Sequence, residues 1–224
     1  MEIFLDTASV KEIIEILPWG VISGVTTNQK IFLAEKGCNF KKRVQEILSL
    51  IDAPLSIELT RTDGTDEDII DEAVECSSWN PKNIIVKVPM FGSGRGLRII
   101  TQLHNRSVKT NATALMSTNQ VMLAAKAGAT YASIFFNRVK DASGDAKQVV
   151  RESRALLDSM NTSTKIIVGS IRRTEDVTQA AIAGAHIVTI PYKILIQMPF
   201  HEKTEETIAE FDRAWQEFKK AERR

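Results

Sequence analysis

The chain has 224 residues but only two cysteines, six prolines and two tyrosines, and its 29 lysines and arginines are nearly balanced by 28 aspartates and glutamates. Each scarcity excludes something. Cys38 and Cys76 are far apart in sequence and match no metal-ligand spacing, so both read as small hydrophobes in a reducing compartment. A formal net charge of +1 leaves no global field to gather nucleic acid or an acidic membrane surface, so any anion has to be held locally. No apolar run approaches the length that crosses a bilayer. The opening MEIFLD lacks the basic stretch and apolar core of a signal peptide, and the expected location is the cytoplasm. The first apolar run is not followed by G-x-G-x-x-G, and MFGSGRG at 90–96 lacks the lysine and hydroxyl of a P-loop, so it reads as a flexible loop. His104, His186 and His201 are poorly placed for catalysis, and neither a metal nor another cofactor is expected.

What is there is a chain with 43% hydrophobic residues, enough at this length to bury a full core, expected as one domain over 1–224. Short β-branched runs recur at 3–5, 21–25, 55–59, 84–88, 110–115, 131–136, 166–170 and 187–190. Between them, apolar residues return every three or four positions at 10–16, 40–50, 66–76, 96–103, 119–127, 147–157 and 175–183, the spacing of helices. Such alternation predicts a parallel sheet, and near-continuous apolar strands such as IIVKV predict that both its faces are covered. Eight units in this length favour a single (β/α)8 TIM barrel over an open sheet. Gly128 and Gly184 are set to end helices just before strands six and eight. An extra amphipathic helix is expected at about 202–222, with Ile208, Phe211, Trp215 and Phe218 on one stripe that covers either its own barrel or a neighbouring subunit.

In such a barrel the active site lies at the carboxyl ends of the strands, so polar residues that interrupt those ends are the candidates. Lys87 interrupts Ile-Ile-Val-Lys-Val-Pro. An amine held among hydrophobic neighbours is less readily protonated, and the neutral amine is the form that attacks a carbonyl. The plainer alternatives are that Lys87 reaches for solvent or pairs with Glu58. Asp6 and Glu58 fall at the same mouth and could move protons while an imine forms, cleaves and hydrolyses; Asp6 equally fits a cap for the helix near Ser9. Thr27, Asn28, Asn111 and Thr113 could hold sugar hydroxyls, although Thr27 and Asn28 equally fit a backbone turn. Ser133, Arg138, Ser170 and Arg172, on or after strands six and seven, suggest a phosphate site, against the alternative of surface ion pairs. Asp66, Asp68, Asp71 and Glu72 read as the solvated face of a helix.

The segments IFLDTA (3–8), GVTTN (24–28), IIVKVP (84–89), TNATALMSTNQVMLAAKAGATY (110–131), SIFFNR (133–138), SIRRTEDV (170–177) and AGAHIVTIPYKIL (183–195) together resemble the small transaldolases and fructose 6-phosphate aldolases. The resemblance implies a metal-independent class I enzyme in which Lys87 forms the imine, Asp6 and Glu58 handle protons, Asn28, Asn111 and Thr113 bind the sugar, and Ser133, Arg138, Ser170 and Arg172 face phosphate. It implies transfer of a dihydroxyacetone unit from fructose 6-phosphate or sedoheptulose 7-phosphate to an aldose phosphate, and a homo-oligomer, pentamer or decamer, joined through the C-terminal helix. Glu58, where the aldolases carry glutamine, and phenylalanine rather than tyrosine in FFNR point to the transaldolase side. Simple aldol cleavage, or a barrel that only binds sugar phosphate, are the competing expectations. The chain departs from the family at Gln29-Lys30, where proline and serine are usual, and at Ile134 and Asn137, where proline and glycine are usual.

Overall fold

The computed structural model describes residues 1–60 and 63–222. The strands are β1 (Glu2–Asp6), β2 (Gly24–Thr26), β3 (Leu55–Glu58), β4 (Ile84–Pro89), β5 (Thr110–Leu115), β6 (Tyr131–Phe135), β7 (Lys165–Gly169) and β8 (Ile187–Pro191). All pair in parallel in sequence order, and β1 closes on β8, so the sheet is a complete eight-stranded barrel. The helices are α1 (Val10–Ile16), α2 (Gln29–Ala34), α3 (Phe40–Leu50), α4 (Asp66–Ser78), α5 (Arg95–Asn105), α6 (Thr118–Lys126), α7 (Phe136–Asp141), α8 (Ala146–Ser159), α9 (Thr174–Ile182), α10 (Tyr192–Leu195) and α11 (Glu202–Glu222). The TIM barrel and its C-terminal helix are as the alternation predicts.

Two separate sets of buried side chains follow from strand alternation. Outward residues such as Leu5, Val25, Ile57, Val86, Ala112, Ile134, Val168 and Val188 form one continuous layer with the helices. Phe4, Ile85, Tyr131, Ile167 and Ile187 form a second cluster, the inner plug of the barrel, with the Phe4 and Tyr131 rings edge-on at 6.1 Å. Gly24 makes room for it: a Cβ there would lie 2.7 Å from the Phe4 ring and 2.8 Å from the Pro54 carbonyl oxygen. Two residues further along β1, β4, β6 and β8, on the same face, stand Asp6, Lys87, Ser133 and Thr189. The barrel interior therefore changes from apolar to polar within one side-chain layer.

Several boundaries differ from the periodicity. Residues 21–23 lie outside β2, with Val21 exposed, and the strand runs instead to Thr26. The apolar run at 131–136 is not one strand, because Phe136 opens α7, which carries Arg138. Phe136 is fully buried at the start of α7, so its hydrophobicity alone does not tell strand from helix. Asp66 and Asp68 are not simply solvated: Asp66 pairs with Arg95 and Arg98, and Asp68 closes a capping box with Thr65 at the start of α4. Gly128 and Gly184 do take left-handed φ of 89° and 100°. The helix α11 has no buried residue and leaves Phe211 69% and Trp215 53% exposed, so it does not cover its own barrel.

Candidate active site

Lys87 sits on β4 opposite Glu58 on one side and Asn111 on the other, in the strand register. It is only 6% exposed. Its Nζ donates to the carbonyl oxygen of Thr27 at 2.6 Å. It neither reaches for solvent nor joins Glu58 or Asp6 in an ion pair within 4.0 Å among the described residues. Both carboxylates are nonetheless close enough to feel its charge.

Asp6, at the end of β1, does not cap α1: Ser9 holds the N-cap position and makes no side-chain cap bond. Instead the Thr26 hydroxyl donates to Asp6 Oδ1 at 2.7 Å, and the hydroxyls of Thr26 and Thr189 meet beneath it. Burial raises the Asp6 pKa above the ordinary carboxylate range, with Lys87 and the Thr26 hydroxyl opposing. Glu58 is raised in the same way, chiefly by burial, with Lys87 and the Gln29 amide working against it and Asp6 with it. Two carboxyls shifted upward beside an amine are candidates for giving and taking protons.

Beside the lysine, Asn111 is held in a hydrogen-bonded chain. The Ser133 hydroxyl donates to Asn111 Oδ1 at 2.7 Å, and Asn111 Nδ2 donates to the Ser56 hydroxyl at 3.0 Å. This chain spans β6, β5 and β3 and fixes which way the Asn111 amide points. The structure thus brings Ser133 to Asn111. Thr113 is 1% exposed, and its Oγ1 has no partner among the described residues. A buried hydroxyl without a partner is costly. The next residue, Ala114, has a φ of 59°, and the β5–β6 register shifts between Ala112 and Leu115. Left-handed backbone at a non-glycine residue in a bulge is a strained feature that re-aims the strand end.

The Thr27 hydroxyl donates to the Ser56 carbonyl at 3.2 Å, so Thr27 meets Lys87 through its backbone oxygen. Asn28 is the N-cap of α2, its Oδ1 accepting from the Ile31 N–H at 3.1 Å. That is the turn role, and it occupies one acceptor of the side chain. Gln29, in a position where the family usually has proline, donates through Nε2 to the Leu59 carbonyl at 2.8 Å and shares a cavity of about 250 Å³ with Glu58, Phe32 and Phe40.

On the β6–β7 side, Arg172 grips both oxygens of Asp141 at 2.8 and 2.5 Å, and Arg138 lies 3.9 Å from the same carboxylate. The two guanidinium groups predicted for an anion therefore converge on one point. Both are about half exposed. Ser170, at the turn out of β7, has a φ of 60°. Thr26 is among the strand-end polar residues, whereas Ser56, Thr189 and Asp141 join the site only in the structure. Ser56 had a signal, since it lies two residues before Glu58 on the same strand face; Asp141 had none, because its partner is 31 residues away.

A buried lysine with two carboxyls within reach of its charge, at the strand ends of a closed parallel barrel, has the groups that suit a barrel enzyme working by imine chemistry. The family model described as Transaldolase/Fructose-6-phosphate aldolase matches residues 3–224, and the chain belongs to that family. It is 44% identical over 220 residues to a probable transaldolase of Carboxydothermus hydrogenoformans, covering 98% of this chain and 100% of the relative. It is 42% identical to one of Desulforudis audaxviator, over 98% and 100% of the two chains, and 38% identical to one of Alkaliphilus metalliredigens, over 96% and 98%. Two structures of a mandelate oxidase variant superpose with TM-scores of 0.58 and 0.60 at 10% identity over 85% of this chain; the chain spans 63% and 65% of theirs, and the likeness concerns the fold alone.

Proposed function

We propose that this chain is a transaldolase that moves a dihydroxyacetone unit from fructose 6-phosphate or sedoheptulose 7-phosphate to an aldose phosphate such as erythrose 4-phosphate or glyceraldehyde 3-phosphate. The observation that carries the reading is Lys87, buried on an inward strand position with Asp6 and Glu58 close enough to feel its charge. Lys87 Nζ adds to the C2 carbonyl of the ketose, and loss of water gives a protonated imine. A carboxylate takes the proton of the C4 hydroxyl, the C3–C4 bond breaks, and its electron pair passes into the imine as an enamine while the aldose phosphate departs. The enamine carbon then adds to the incoming aldehyde, the new hydroxyl is protonated, and water releases the product ketose and the free amine. Asp6, oriented by Thr26, and Glu58, beside Gln29, are the proton carriers.

Asn111, held by Ser133 and Ser56, and Thr113 bind the hydroxyls of the imine-bearing fragment, and Asn28 adds a contact through its free amide nitrogen. Thr27 shapes the site through its carbonyl oxygen. Arg138 and Arg172, with Ser170, meet the substrate phosphate; a guanidinium fork suits that geometry. The unpaired thiols of Cys38 and Cys76 fit a cytoplasmic location. The exposed stripe of α11 fits a homo-oligomer, a pentamer or decamer, in which a second copy covers it.

The test is intact mass after incubation with fructose 6-phosphate and borohydride, followed by peptide mapping. The reading expects a dihydroxyacetone-sized adduct confined to Lys87, and turnover that depends on an added aldose phosphate. Turnover without acceptor would make the protein an aldolase, and no adduct with either ketose would sink the Schiff-base mechanism.

A further inference from the structure

The short helix α7 carries two arms toward the turn that leaves β7. Asp141 at its end takes Arg172, and Asn137 near its start reaches the turn itself. Asn137 is 6% exposed, and its Nδ2 donates to the Ser170 carbonyl oxygen and to Asp176 Oδ2, each at 2.7 Å. Asp176, 4% exposed at the start of α9, also accepts from the backbone N–H groups of Arg172 and Arg173, each at 3.1 Å, and from Lys140 at 2.8 Å. Among the described residues, the side-chain hydrogen bonds that hold residues 170–173 from outside the turn run through Asn137 or its partner Asp176, apart from the Arg172–Asp141 pair.

The turn needs such support. Ser170 has a left-handed φ of 60°, a conformation that a serine keeps only where its surroundings over-determine it. The Asn137 bond to the Ser170 carbonyl opposes the peptide flip that would relax it. Arg172 cannot supply that support, since its pair with Asp141 is half exposed, and exposed ion pairs contribute little. Asn137 stands next to Arg138 on the same helix, so one side chain sets the spacing of the two arginines.

We propose that Asn137 is a positioning residue for the phosphate end of the substrate, acting through the Ser170–Arg173 turn to hold Arg172 in line with Arg138, and so selecting phosphorylated over unphosphorylated donors. This rests on the assignment of Arg138 and Arg172 to phosphate. An amide is suited to the task because one nitrogen has two hydrogens in a fixed plane and can serve a carbonyl and a carboxylate together.

The experiment compares the wild-type protein with Asn137→Ala, Arg172→Leu and the double variant, using fructose 6-phosphate as the phosphorylated donor and dihydroxyacetone as the unphosphorylated one, with borohydride trapping at Lys87 as a common readout. Asn137→Ala is expected to raise KM for fructose 6-phosphate about five- to tenfold, the scale of one or two net hydrogen bonds, with a much smaller change in trapping by dihydroxyacetone. In the Arg172→Leu background the same substitution is expected to add little, because the residue through which it acts is gone. An equal loss with both donors, or a penalty that persists undiminished in the double variant, would mark Asn137 as merely structural and overturn the proposal. If Arg172→Leu fails to separate the two donors, the phosphate assignment falls and the proposal with it; if Arg172→Leu separates them and Asn137→Ala does not, only the positioning role falls. Asn137→Ser, which keeps one donor, is measured alongside and should lie between wild type and alanine; it decides the matter alone if the alanine variant does not fold.

Discussion

Lys87 Nζ is tied to the Thr27 carbonyl oxygen at 2.6 Å, a bond between β4 and the residue just past β2 that crosses the barrel mouth beside β3. A carbonyl is an acceptor that never titrates, so it orients the amine without taking its proton. The two groups that do titrate, Asp6 and Glu58, stand close without binding the lysine in an ion pair, which leaves the nitrogen free to leave its partner for a substrate carbonyl.

Substituting Lys87 by methionine should abolish the borohydride-trapped adduct and lower transferase activity by at least about a thousandfold, since the amine that adds to the ketone is removed. The melting temperature should not fall, because the variant removes a buried polar group along with its need for a partner. Residual trapping at another lysine, seen by peptide mapping, would contradict the assignment.

Glu58 gives a signed dependence on pH. Its carboxyl is held above the ordinary value, chiefly by burial, so the folded protein binds that proton more tightly than the unfolded chain does. Its effect is most favourable below the unfolded value of about 4.3, is lost as pH rises through the folded value, and stays lost above it. Glu58→Gln should therefore melt higher than wild type at pH 8, with the gap closing as pH falls toward about 4. Thermal melts across that range decide it: a variant less stable at pH 8, or a gap independent of pH, would show that the ionised carboxylate is stabilised by its neighbours.

Thr113→Val separates folding from function. The Thr113 hydroxyl is buried without a partner among the described residues, so its loss should leave stability equal or improve it by up to about 1 kcal/mol. If that hydroxyl meets the substrate, kcat/KM should fall about ten- to a hundredfold, the scale of a lost substrate hydrogen bond. Chemical denaturation and steady-state kinetics on one preparation test both halves.

Gly24→Ala should destabilise the barrel by about 1–3 kcal/mol, since the new methyl would press on the Phe4 ring and the Pro54 carbonyl. Smaller losses in denaturant titration would mean that Phe4 can move within the plug.

Phe211→Glu combined with Trp215→Glu should reduce the mass in solution toward the 25.0 kDa of one chain, measured by light scattering, while trapping at Lys87 persists. Both side chains are more than half exposed on α11, so their loss costs the barrel no packing. An unchanged assembly would place the subunit contacts elsewhere, and a protein already monomeric before substitution would remove the role assigned to α11.

The strands, the helices and their alternation were legible in the sequence because apolar spacing of two and of three to four is a local property of short segments. So were Asp6, Glu58, Lys87, Asn111 and Thr113 as strand-end interruptions, since a polar residue on an inward strand position stands out against apolar neighbours. The tertiary structure alone decided their partners. Lys87 meets Thr27 across 60 positions, Asn111 meets Ser56 across 55, and Thr26 meets Thr189 across 163, all contacts created by closing the barrel in one register. It also decided that Phe136 begins a helix, that Ser133 serves Asn111, that Asp141 draws both arginines, and that α11 stands free of its own barrel. Periodicity says which face of an element is apolar, but the residue that meets each side chain depends on how distant elements are brought side by side.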